Sequence, residues 1–68
     1  ETLREIRKRL AAEQGVPPYV VFSDVALVEM SRERPSTPDE FLGINGVGQV
    51  KLVRHGAIFL EAIARDEA

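Results

Sequence analysis

The sequence predicts an all-α domain, a compact bundle of about five short helices. Three observations predict it. Apolar residues recur at three- and four-residue spacing in one segment after another. Proline and glycine punctuate the chain between those segments. The one run of strand-like composition, Val16 to Phe22, opens on two prolines that remove ladder donors, and no second strand is there to pair with it. The 68 residues suffice for one domain, taken as 1–68.

The first helix carries Leu3, Ile6 and Leu10 on one face, with Glu5 and Arg9 an i,i+4 pair in the favourable order. Gly15 stops it and Pro17-Pro18 forbids continuation. Residues 16–22 then form an extended or single-turn connector whose apolar side chains plug into the core. Ser23 or Asp24 caps a second helix running to about Arg34, with Val25, Leu27, Val28 and Met30 as a broad apolar face, and Pro35 ends it. Thr37-Pro38-Asp39-Glu40 is a strong start signal for a third helix: Thr37 caps, Pro38 sits where its missing N–H costs nothing, and Glu40 reaches back. Phe41, Leu42 and Ile44 follow. Asn45-Gly46-Val47-Gly48 breaks the pattern, with two glycines that tolerate positive φ. A fourth helix runs from about Gln49 to His55 with Val50 and Val53 inward, Gly56 ends or sharply bends it, and a fifth carries Phe59, Ala62 and Ile63.

Hydrophobic residues make up 44% of the chain, enough for a compact core, and the four aromatics (Tyr19, Phe22, Phe41, Phe59) are spaced so that they can converge there. With no cysteine, neither a disulfide nor a cysteine-based metal site can staple so small a domain. His55, the single histidine, has no partners at ligand spacing, so neither metal nor cofactor is expected. No apolar run reaches the roughly 18 residues of a membrane span, and no signal-peptide pattern is visible. A cytoplasmic location is expected. The chain opens on Glu1, not Met, which suggests a piece of a longer protein. Formal net charge is −2, a poor balance for strong nucleic-acid binding, yet residues 1–12 hold a net +2. Any basic footprint is therefore local.

Two stretches, VPPYVVFSDVALVEM (16–30) and FLGINGVGQVKL (41–52), together with the opening LREIRKRLAAEQG (3–15), carry a family likeness over nearly the whole chain. In order and separation they resemble the HRDC domain (helicase and RNase D C-terminal domain), and the Pro-Pro-Tyr-Val-Val-Phe-Ser-Asp run looks like its bacterial-type RecQ branch. That resemblance implies a non-catalytic accessory domain lying C-terminal to an ATP-dependent DNA helicase motor in DNA repair and recombination. It implies weak, sequence-independent binding of single-stranded or junction DNA, or else contacts to protein. In agreement, the chain has no Gly-rich loop with GK[ST] for ATP. As an isolated domain it is expected to be a monomer.

Ile44-Asn45-Gly46-Val47-Gly48, followed by Lys51, also looks like a helix-hairpin-helix turn. Gly46 and Gly48 would let a phosphate approach outward-pointing N–H groups at a helix start, with Lys51 and Arg54 adding charge. Such contacts read backbone, not base sequence. The alternative is that the glycines only permit a tight turn. Arg4, Arg7 and Lys8 form a candidate backbone-binding stripe on the first helix, or an ordinary solvated face with Arg7 packing its stem. Tyr19 is a candidate stacking platform for bases, or a core cap with its hydroxyl in water. Arg32 and Arg34 are explained by the negative end of their helix. The acidic residues Glu29, Glu33, Asp39 and Glu40, with Asp66 and Glu67 near the C-terminus, suggest a second role: docking on a basic surface of the same helicase or of a partner. Otherwise they simply solubilise the surface.

Overall fold

The computed structural model describes residues 1–65, and the Asp66-Glu67 part of the expected acidic surface lies outside them. Five helices follow in order: α1 Leu3–Gln14, α2 Pro18–Val21, α3 Asp24–Glu33, α4 Pro38–Leu42 and α5 Gln49–Arg65. No strand occurs among the described residues.

Each helix start is a local hydrogen-bond solution. Thr2 Oγ1 accepts from Glu5 N (3.1 Å) while Glu5 Oε1 accepts from Thr2 N (2.8 Å), a reciprocal capping box that satisfies two donors at the start of α1. This arrangement displaces the expected Glu5–Arg9 pair. Arg9 instead makes two 3.0 Å bonds to Glu1 and lies 3.7 Å from Glu13. Gly15 ends α1 in the left-handed region, at φ 68°. α2 is a single turn with Pro18 in its first position, and Ser23, not Asp24, caps α3 by accepting from Ala26 N (3.1 Å). Thr37 caps α4, and the Glu40 carboxylate reaches back to accept from both Ser36 N (2.8 Å) and Ser36 Oγ (3.1 Å).

Two expectations for the C-terminal half are corrected. Gly56 neither ends nor bends a helix, because α5 runs unbroken for 17 residues. An interior glycine costs only about 1 kcal/mol relative to alanine. Here the missing side chain also serves packing: a Cβ at 56 would lie 2.6 Å from Leu52 Cδ1 and 3.9 Å from Phe41 Cδ2. Continuity then fixes the helix phase. Counting back from Phe59 by three and four selects Gly56, His55 and Leu52 for the inner face. Val50 and Val53, expected inward, are therefore outside, 65% and 81% exposed. Val25 and Val28 are exposed as well, and α3 buries Ala26, Leu27 and Met30 instead.

Three of the four aromatics converge, and Phe22 is their centre. Its ring meets Phe59 at 4.9 Å, Phe41 at 5.9 Å and His55 at 5.9 Å between centroids, each edge-to-face. Ile6, Met30, Ile44, Val47 and Ile63 are among the other buried members of the cluster. In the turn between α4 and α5, only Gly46 has a positive φ, at 89°; Gly48 does not. Phe22→Ala is expected to cost about 3–5 kcal/mol, comparable to the whole stability of so small a domain, and to abolish the cooperative thermal transition followed by circular dichroism. Gly46→Ala is expected to retain the fold but lose about 1–2 kcal/mol in urea unfolding.

Candidate nucleic-acid interface

The candidate interface is organised around the backbone of Phe22. This residue ends α2 in an extended conformation, so its carbonyl is not used by a helix. Arg7 Nη1 donates to that carbonyl at 3.0 Å and lies 2.8 Å from Asp24 Oδ1. The Arg7 side chain is only 12% exposed. It is thus a brace tying α1 to the start of α3, with its charge already engaged. On the ring of the same Phe22 sits Lys51, its Nζ 5.6 Å from the centroid, a cation–π contact that holds the base of α5 against the α2–α3 junction.

The remaining predicted cations differ from the other basic residues. Arg9, Arg32 and Arg65 each lie within 4 Å of a carboxylate. Among the described residues, Arg4, Lys8, Lys51 and Arg54 have none at that distance. Lys51 and Arg54 lie in the first two turns of α5, directly after Gly48, and no acidic residue occurs from Gln49 to Leu60. Leu52 N donates to Gly48 O at 2.9 Å, the first helix-type bond of α5, so the amides before it have no helical carbonyl to bond. A Cβ at Gly48 would meet nothing within 4 Å, so this position borders open space. Tyr19 stands 70% exposed on α2. Arg4 is placed elsewhere: it borders a groove of about 760 Å³ between α1, α3 and the Ile58–Arg65 part of α5, whose lining includes neither Lys51 nor Arg54.

Of the acidic candidates, Glu29, Glu33 and Glu40 share one depression with Pro35, Gly43 and Ile44, while Asp39 is not part of its lining. Two of the three have structural duties. Glu29 Oε2 accepts from Asn45 N at 3.2 Å, fastening α3 to the hairpin turn. Glu40 is held below the ordinary carboxylate range by its bonds to the Ser36 backbone and hydroxyl.

His55 was not legible as part of this region. It is 7% exposed and packs on Phe22, and its pKa is pushed below the ordinary 6.5 by burial, then by the nearby charges of Arg54 and Lys51. The helix periodicity that buries Phe59 places it inside only when α5 is continuous through Gly56.

The profile of the HRDC domain family matches residues 1–63. The chain belongs to the HRDC family. Its sequence is 56% identical over 63 residues to the ATP-dependent DNA helicase RecQ of Bacillus subtilis, covering 93% of this chain and 11% of that protein. It is 44% identical over 66 residues to the RecQ helicase of Haemophilus influenzae, covering 97% of this chain and again 11% of the relative. The HRDC domain thus spans about a tenth of the curated relatives it matches. Its fold superposes on D. radiodurans RecQ HRDC domain 3 with a TM-score of 0.87 at 32% identity, covering 91% of this chain and 82% of that one. Among the described residues of the HRDC domain, no helix is long and apolar enough to cross a membrane.

The Arg7 brace makes a stability prediction. Arg7→Met keeps the stem but leaves the Phe22 carbonyl without its charged donor, and is expected to cost about 1–3 kcal/mol in urea unfolding. Asp24→Asn removes only a carboxylate that is 75% exposed, and is expected to cost less than about 1 kcal/mol.

Proposed function

We propose that this HRDC domain is a non-catalytic accessory domain of a cytoplasmic RecQ-type DNA helicase, and that it grips single-stranded or junction DNA weakly and without sequence preference. The observation that carries this reading is the group of cations left without carboxylate partners among the described residues, two of which, Lys51 and Arg54, follow the open Gly48 turn. In a chain of net charge −2, cations with no carboxylate within 4 Å are where phosphates meet least repulsion. Lys51, Arg54 and Lys8 contact phosphates, the turn at Gly46 and Gly48 admits one closely, and the exposed Tyr19 stacks on a base. Arg7 supports the surface from behind, and Arg4, on the groove side, contributes to the general field. The isolated domain acts as a monomer. Its modest affinity becomes useful when it is tethered to a motor that also holds DNA.

Fluorescence anisotropy with a labelled thymidine oligonucleotide tests this. Three or four phosphate contacts predict a slope of log K against log salt of about −2 to −3. Lys51→Ala/Arg54→Ala is expected to flatten the slope by roughly 1.4, and Tyr19→Ala to weaken binding by about 1–3 kcal/mol with the slope unchanged. Gly48→Ala separates turn from site: stability stays near wild type while affinity falls. Absence of saturable binding at low salt overturns the reading.

The shared depression of Glu29, Glu33 and Glu40 favours a second reading, a docking face for a basic surface of the same helicase or of a partner protein. On that reading Glu33→Gln in the full-length helicase alters unwinding while the isolated domain keeps its affinity for DNA. Unchanged unwinding would count against it.

A further inference from the structure

His55 links the core to the cations of α5. Its imidazole lies against Phe22 at 5.9 Å, and Lys51 Nζ sits 5.6 Å from the centroid of the same ring. Arg54 precedes it in the chain and Lys51 lies one helical turn earlier. The charged groups that reach Phe22 from α1 and α3 are already engaged. From α1, Arg7 is bound to the Phe22 carbonyl, and from α3, Asp24 is held by that Arg7. From α4, Phe41 packs on the ring, and the neighbouring Glu40 is bound by Ser36. Among the described residues no carboxylate pairs with His55, and the charges acting on it, Arg54 and Lys51, are both positive.

We propose that His55 makes anion binding by Lys51 and Arg54 proton-linked, so that DNA seated on these two cations draws a proton onto the imidazole. This rests on the DNA-binding reading above and assigns a regulation to that same site. The cause is electrostatic. In the free domain, burial, Arg54 and Lys51 all disfavour the imidazolium. A phosphate paired with the cations cancels the last two and leaves burial in place, so the pKa of His55 rises in the complex. The complex then holds more protons than the free domain between the two pKa values. Affinity therefore increases as pH falls through the bound-state value, and levels off below the free-state value. The fold responds in the opposite sense. Because the folded-state pKa lies below the ordinary 6.5, the free domain loses stability as pH falls from 6.5 through that lower value. Bound DNA offsets part of this loss.

The direct test is an NMR pH titration of the His55 imidazole in the wild-type domain, alone and saturated with a thymidine oligonucleotide, whose phosphodiesters and bases do not titrate near neutrality. The midpoint is expected to rise by roughly 0.3 to 1 on the pH scale. Affinity is then expected to tighten about two- to tenfold across the window. His55→Gln is expected to bind as wild type does above the window and to lose the pH dependence. Binding with an unshifted His55 midpoint overturns this inference and leaves the DNA reading standing; no binding at any pH overturns both.

Discussion

The fold turns on how one residue, Phe22, is held. Its ring is the hub on which Phe41, Phe59 and His55 close edge-to-face, and its carbonyl is the acceptor that fixes Arg7. In a domain of this size, with no disulfide to help, a single aromatic cluster supplies much of the buried area. The two prolines before it force a one-turn α2, and that turn delivers Phe22 inward while leaving Tyr19 outside. One local constraint thus sets both the core and the most exposed aromatic.

The same centre organises charge. Arg7 and Lys51 approach Phe22 from different helices, one through the carbonyl and one through the ring face. Arg7 is neutralised by Asp24, whereas Lys51 and Arg54 find no carboxylate among the described residues. Lys51 is held by its contact with the Phe22 ring, while Arg54 is exposed to solvent. The acidic residues Glu29, Glu33 and Glu40 lie around a separate depression between α3 and α4. In a domain of negative net charge, these carboxylates and the unpaired cations of α5 thus lie in different places.

Much of this was legible in the sequence. The proline pair, the Thr37-Pro38 start and Gly15 are local signals whose chemistry is decided within a few residues, and each lies where expected. The HRDC likeness was readable for the same reason, since its motifs are contiguous. What was missed depends on long-range packing. Gly56 looks like a terminator in isolation, but it marks the point where α5 packs close to Phe41; a break there puts Val50 and Val53 inward, whereas the continuous helix buries His55 instead. Arg7 could be placed on a face by periodicity, yet its partners lie 15 and 17 residues away, at Phe22 and Asp24. No spacing rule reaches so far. The capping box at Thr2 and Glu5 is local, but Glu5 also stands four residues before Arg9, and spacing alone does not choose between the two.

On the proposed reading, the α5 start and the α2 turn form the DNA-facing surface. Amide chemical-shift mapping of the isotope-labelled domain against a thymidine oligonucleotide tests it most directly. Saturable, salt-sensitive shifts are expected at Lys8, Tyr19 and from Gly46 to Arg54, with Glu33 and Asp39 unmoved. Shifts centred on Glu29, Glu33 and Glu40, or none at low salt, would contradict it.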